Sequence, residues 1–466
     1  MTAPIRYAKD SNGIVTLTFN SEGQRVNTLN DEMRDCLIET IERVVNEKDS
    51  IAGVIFASAK STFFAGGDLN YLYQLKAEDA GQLSDQISTV KRAFRQLETL
   101  GKPVVAAING SAVGGGFELA LACHYRICIN DAKTQLGLPE ASLGLLPGLG
   151  GVVRMNLLLG LIKSQTYLQE GKLFNPAHAY EQGLVHALVN DQVELLNAAR
   201  EWILSRPHAL QPWDQPDYNV PGGRPGDFEL DRWIATAMDQ LIARTKGCYP
   251  APEAILSCSI EGMKLNFDQA DLIETQAFTG LVTGSVAKNL MGTFWFQLNS
   301  LRAGGALQKP ISPKDFNERV YDAFVQEGLA MLNAGQDPAT IESGALAAGF
   351  LAGPLAGLDQ ASLTRAFPQT QAQCAEQEVK DRLLFCMALA SVRIFQEGAI
   401  EAVSLGNVGS VMEIGFPRWT GGVFQFLNQY GLTQAVARCV ELAQQYGEQF
   451  SPPGLLIEKA RMGGQF

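Results

Sequence analysis

The sequence predicts an α/β domain at the N-terminal end, followed by a helical region that ends in an all-α domain. Three observations carry that reading. Short β-branched runs alternate with amphipathic stretches through the first part of the chain, the pattern of βα units. From about Gln182 the pattern becomes mainly helical. From about Lys309 it is almost wholly helical and weakly repeats itself.

Taken in order, IVTLTFN reads as a strand and DEMRDCLIETIERVVNE as a helix, its apolar residues recurring three and four apart. AGVIFAS and PVVAAIN are apolar, β-branched runs, the second after a Gly-Lys-Pro turn. GGGFELALACHYRIC opens on glycines and continues as a helix. The stretch RPHALQPWDQPDYNVPGGRPGDF is rich in proline and reads as an irregular surface connector. In the last part, ERVYDAFVQEGLAMLNAG precedes ESGALAAGFLAGPLAGLDQ, and DRLLFCMALASVRIFQEG precedes GSVMEIGFPRWTGGVFQFL. Each pair is a helix, a short link, a Gly-Phe dipeptide and further apolar sequence, so the domain reads as two stacked repeats. The expected divisions are a core over 1–190, a helical extension and linker helix over 191–308, and the all-α domain over 309–466.

Composition narrows the function. The 466 residues carry a formal net charge of −12, which argues against nucleic acid as the main partner because phosphate contacts need clustered Lys and Arg. The start, MTAPIRYAKD, has no apolar core of a secretory signal. The longest apolar stretch is interrupted by Pro147 and Arg154, so no integral membrane segment is expected. The eight cysteines form no CxxC pair and read as reduced thiols, with no metal site implied. The expected compartment is the cytoplasm.

The chemistry concentrates in two glycine-rich loops and two glutamates. The loops are FFAGGDLNYL, residues 63–72, and NGSAVGGGFELA, residues 109–120. Glycines entering a helix leave backbone N–H groups open, and the helix dipole favours negative charge there. Two such groups from separate loops can form an oxyanion hole for a carbonyl oxygen that gains charge, such as that of a thioester becoming an enolate. Glu118 follows the triple glycine, and Glu140 lies in LGLPEASLGLLPGLGG. Apolar surroundings would raise both carboxyl pKa values toward the range useful for proton transfer. Taken singly, each motif has a structural explanation: a dipole-complementing Glu, a loop acid, a turn. Their coincidence in order points to chemistry.

These motifs, with Arg25-Val-Asn-Thr-Leu-Asn30 before them and continuing to about Leu188, resemble the crotonase (enoyl-CoA hydratase/isomerase) family. The resemblance implies a crotonase spiral of repeated ββα units. It also implies oxyanion-hole N–H groups from Ala65 and Gly115, catalytic acids Glu118 and Glu140, and coenzyme A contacts from Val26, Gly67, Asp68, Leu69 and Gly114. With both acids present, it implies hydration of trans-2-enoyl-CoA. Isomerisation of Δ3 to Δ2 enoyl-CoA, which could use Glu140 alone, is the alternative. Glu118 would hold and deprotonate water while Glu140 exchanges the α-carbon proton. No cofactor is required by that chemistry.

The rest of the chain resembles the large multifunctional β-oxidation proteins. YPAPEAILSCSIEGM and AKNLMGTFWFQLNSLR look like the end of a hydratase part and its linker helix; EIGFPRWTGGVFQFLNQYG and the final YGEQFSPPGLLIEKARMGGQF look like a duplicated 3-hydroxyacyl-CoA dehydrogenase C-terminal-type domain. Between them that family has an NAD-binding Rossmann domain. Here ALQKPISPKDF joins the two directly, no GxGxxG occurs, and His124, His178, His186 and His208 all precede the linker. The expectation is therefore that NAD is not bound and dehydrogenase activity is absent. The helical domain is then expected to associate with a thiolase or a second copy, or to serve as a scaffold. His124 is read as a packing or surface histidine, and Asn317 and Arg319 as helix-start residues.

Overall fold

The computed structural model describes residues 3–305, 307, 310–357 and 375–466. The chain divides into two compact units, one of residues 1–241 and 250–284, the other of 242–249 and 285–466.

In the first unit, β1 (Ile5–Lys9), β2 (Ile14–Phe19), β3 (Gly53–Ser58), β4 (Val104–Ile108), β6 (Tyr125–Ile129) and β8 (Ala187–Val189) form a six-stranded sheet in that order. β1 is antiparallel to β2 and every other pair is parallel. β3 and β4 are buried along their whole lengths, as parallel strands covered on both faces must be. Helix α1 (Asp31–Asn46) shows why the intervening segments become helical. Asn30 caps it by accepting from the Met33 N–H at 2.9 Å. Asp31 and Glu32 complement the dipole, and Met33, Leu37, Ile41 and Val44 form the buried stripe.

A second, smaller sheet places the site. β5 (Ala112–Val113) pairs in parallel with β7 (Leu136–Gly137), and Phe64 bridges Ala112 in parallel. Strands β3, β4 and β6 are thus each succeeded by a short strand-like stretch in this second layer, and then by a helical turn. This is the ββα repetition of the crotonase spiral. The loops 65–68, 114–118 and 138–144 all leave from the ends of these short stretches. β5 and β7, two residues each, are too short to show a period in sequence.

The same unit contains α2 (Ala80–Glu98), α3 (Gly115–Ala122), α4 (Gly151–Leu159), α5 (Gln192–Ser205) and α6 (Pro250–Gly262). Its last helix is α7 (Phe267–Val282). α5 packs Leu195, Ala199 and Ile203 on the sheet.

The second unit is helical. Ser285–Leu290 and Leu298–Ala303 are α-helical and joined through a π-helical stretch, Met291–Gln297. The expected linker helix lies in the second unit, which takes in residues 242–249 and resumes at Ser285. Its side chains explain that: Thr293 Oγ1 donates to the Gly421 carbonyl at 2.7 Å and Asn289 Nδ2 to that of Trp419 at 3.1 Å. α8 (Lys314–Asn333) and α9 (Pro338–Ala348) make the first repeat; α10 (Glu376–Gln396) and α11 (Val403–Met412) make the second. In each, a left-handed glycine, Gly349 at the C-cap of α9 and Gly415 just beyond the end of α11, delivers a phenylalanine to the core. Those two rings, Phe350 and Phe416, meet edge to face at 5.9 Å. Leu358 to Gln360, which end the first repeat motif, and Ala306, Gln308, Lys309 and Cys374 lie outside the described residues. Asn317 lies in the first turn of α8 but does not cap it; its side chain bridges Ser312 and Glu413, and Arg319 pairs with Glu397.

Among the described residues, no helix is long and apolar enough to cross a membrane, and no group of three His, Cys, Asp or Glu is placed to hold a metal ion. The described cysteines are free.

Candidate active site

Gly114 is the pivot of the site. Its φ of +55° favours glycine, and a Cβ there would stand 2.7 Å from Glu140 Oε1. The turn it makes starts α3 and sets Glu118 in the first helical turn, where the Glu118 N–H donates to the Gly114 carbonyl at 2.9 Å. Glu140 opens a 3-10 turn, Glu140–Leu143. The structure therefore brings both predicted glutamates to one glycine turn.

Their surroundings differ. Glu118 is buried, and its Oε1 accepts from the Leu149 N–H at 2.6 Å and the Gly151 N–H at 2.8 Å. Its Oε2 accepts no hydrogen bond among the described residues. Glu140 is part-exposed as a residue, yet its Oε2 is shielded from solvent and unpartnered. Burial pushes the Glu118 carboxyl well above the usual range; the charges of Glu140 and Glu274 add to this, and the two N–H groups oppose it. Burial raises Glu140 to about 8; its own backbone N–H opposes the rise and the charge of Glu274 adds to it. Two carboxyls coupled in this way resist double ionisation.

The oxyanion donors need one correction. The N–H of Ala65 donates to the Asn27 carbonyl at 2.8 Å and is not free for a substrate. The Leu29 N–H takes the Gly66 carbonyl at 2.9 Å, while Gly66 turns at φ +87°. Ala65 is thus spent in holding its loop against residues 27–29. Among the described residues the N–H groups of Gly67 and Gly115 meet no acceptor. Gly66 packs on the 113–115 turn, its Cβ position 3.0 Å from the Val113 carbonyl oxygen and 3.6 Å from the Gly115 nitrogen.

Of the other predicted contacts, Val26 is half-buried beside buried Asn27, Gly67 is exposed, and Leu69 is half-buried. Asp68 caps the helix Leu69–Gln74, accepting from the Asn70 N–H at 2.9 Å. His124 packs as expected: its Nδ1 accepts from the Val104 N–H at 3.1 Å, Nε2 meets the Glu98 carbonyl at 3.0 Å, and burial lowers its pKa to about 4.

Sequence reasoning missed three participants. Asn27 is buried and ties the first loop together, with Nδ2 donating to Ser58 Oγ and the Phe63 carbonyl and Oδ1 accepting from the Ser21 N–H. Glu274 and Lys91 stand behind the Leu149–Gly151 turn, and Lys91 Nζ lies 3.0 Å from Glu274 Oε1. Asn27 lies within the RVNTLN motif, but its structural role has no spacing signal. Glu274 and Lys91 are 183 positions apart in sequence, so no local pattern links them. A cavity of about 310 Å3 lined by Val153, Leu157, Trp213, Met263 and Phe267 also lies in this unit, and none of the candidate catalytic residues lines it.

Residues 9–208 match the family model described as enoyl-CoA hydratase/isomerase. This segment is a domain of that family. The chain is 36% identical over 316 residues to the fatty acid oxidation complex subunit alpha of Shewanella loihica, covering 66% of this chain and 43% of that protein. It is 34% identical over 307 residues to the subunit of the same name from Shewanella frigidimarina, covering 66% and 42%. The chain therefore spans less than half the length of these relatives. Among solved structures, human mitochondrial delta3-delta2-enoyl-CoA isomerase aligns with a TM-score of 0.46 at 22% identity, over 64% of this chain and 98% of that one.

Proposed function

We propose that the N-terminal crotonase domain hydrates trans-2-enoyl-CoA thioesters to 3-hydroxyacyl-CoA, as a step of fatty-acid β-oxidation. The observation that carries this reading is the pair of shielded glutamates at one glycine turn, beside two unspent N–H groups from separate loops. The thioester oxygen accepts from the Gly67 and Gly115 N–H groups, which stabilise the charge it gains as the enolate forms. Glu118 takes a proton from water as its oxygen bonds to the β carbon. Glu140 gives a proton to the α carbon, so the C=C π bond is consumed and one H and one OH are added. The proton gained by Glu118 returns the pair to its starting state.

The unpartnered Oε2 of Glu140 favours a second reading, Δ3,Δ2-enoyl-CoA isomerisation, in which Glu140 alone removes and returns a carbon-bound proton. Loss of enoyl absorbance with crotonyl-CoA and a longer trans-2-enoyl-CoA, without NAD, tests the first, and gain of that absorbance from a 3-enoyl-CoA tests the second. Hydration should fall at least roughly hundredfold in Glu118→Gln and in Glu140→Gln. Isomerisation that survives Glu118→Gln while hydration is absent in the wild type would replace the first reading with the second.

The chain lacks a GxGxxG, which supports the reading that NAD is neither bound nor used. The relatives' name, a subunit of a fatty acid oxidation complex, supports association of the helical unit with another subunit, a thiolase by the sequence resemblance. It also fits a cytoplasmic setting.

A further inference from the structure

Glu274 lies outside the family-matched segment, on α7, and is fully buried. Its Oε1 accepts from the Gly150 N–H at 2.6 Å and its Oε2 from the Val153 N–H at 3.2 Å. Gly150 is the residue between Leu149 and Gly151, whose N–H groups hold Glu118. Three consecutive N–H groups at the start of α4 are therefore shared alternately between two carboxylates that enter from α3 and α7. Lys91, from α2, closes the rear of the site, donating to the Asp271 carbonyl at 2.7 Å and to Thr275 Oγ1 at 2.8 Å.

We propose that Glu274, held by Lys91, is a positioning residue for the hydration reaction: it fixes the Leu149–Gly151 turn that aims two N–H groups at Glu118. The groups facing it are Lys91 from α2, Arg154 from α4, Glu118 from α3, Cys258 from α6, Glu140 from its 3-10 turn, and Asp271 on its own helix. Burial raises the Glu274 carboxyl pKa, and Lys91 and the Val153 N–H oppose that rise; among the described residues its two oxygens accept from Gly150, Val153 and Lys91, donors that favour the ionised form. Its like charge then opposes ionisation of Glu118, with Lys91 offsetting part of the effect.

The assignment rests on the hydratase reading, and the test separates the two. The pH profile of kcat/KM with crotonyl-CoA is measured for wild type, Glu274→Gln and Glu274→Asp. Carboxyl 13C NMR titration of the full chain runs in parallel, with Glu118 assigned by Glu118→Gln. Glu274→Gln should move the Glu118 titration and the matching limb of the profile down by about one pH unit. Glu274→Asp keeps the charge but draws back from the turn; it should leave the titration near the wild-type position while kcat falls roughly tenfold or more. Superimposable titrations of wild type and Glu274→Gln overturn the proposal. Should Glu274→Gln fail to fold, an unchanged kcat in folded Glu274→Asp overturns it instead. Wild type inactive on every enoyl-CoA would sink the hydratase reading, and the NMR titration would still decide whether Glu274 governs the proton on Glu118.

Discussion

Glu118 and Glu140 are the same kind of side chain in similar apolar sequence, and what separates them is where their oxygens end. Glu118 spends one oxygen on two backbone donors, while Glu140 keeps a shielded oxygen with no partner. This has a consequence for stability. The Glu140 pKa is about 8 in the fold and near the usual carboxylate value when unfolded. A raised folded pKa contributes stability that is fully present below the unfolded value and is lost as pH rises through the folded one. Wild type should therefore lose thermal stability between about pH 5 and pH 9. Glu140→Gln, which cannot ionise, should lose less of it. Differential scanning fluorimetry across that range should show the gap opening with pH to a few degrees; parallel curves would show that Glu140 does not ionise there. Asn27 matters at the same scale. Asn27→Ala removes the buried amide that ties Ser58, Phe63 and the Ser21 N–H and should cost about 1–3 kcal/mol in denaturant unfolding.

At the scale of elements, function depends on three short loops leaving one second layer of strands, and on glycines that let them touch. Gly114→Ala would force a side chain into the Glu140 carboxylate at a backbone angle that favours glycine. Activity should fall by roughly hundredfold or more, since donors and acids would shift together; hydration kinetics beside circular dichroism will separate that loss from unfolding. The roles of the glycine motifs are legible in sequence because residues 63–72 and 109–120 are each contiguous. The choice of Ala65 as a donor is not legible there. Which N–H of a glycine loop stays free depends on what the neighbouring segment accepts, and here the Asn27 carbonyl takes it. In the helical unit, Phe350 and Phe416 mark the repeat. Phe416→Ala should cost about 3–5 kcal/mol, read from the unfolding midpoint of the C-terminal unit.

At the scale of the whole molecule, the chain combines a crotonase-family domain with a helical unit whose repeated Gly-Phe ends build one core. On the proposed reading, in which the chain hydrates enoyl-CoA and does not use NAD, 3-hydroxyacyl-CoA is the expected end product. Supplied with that product and NAD, the purified chain should develop no NADH absorbance, and steady NADH formation would refute the reading. The division between units is only partly legible in sequence. The Gln308–Lys309 region reads as the boundary because a linker ends there, yet Thr293 and Asn289 bind the linker helix to the 419–421 turn, which makes it part of the C-terminal unit.

The α/β-then-helical order, the two loops and the two glutamates can be read along the chain, because each is a local pattern: a period, a glycine run, or an acid in apolar surroundings. Which N–H groups remain free, the start of one helix shared by Glu118 and Glu274, and the ion pair of Glu274 with Lys91 emerge only when the chain is folded. Those facts depend on contacts between residues far apart in the chain, and burial sets their energies by removing the water that would otherwise screen each charge and satisfy each donor.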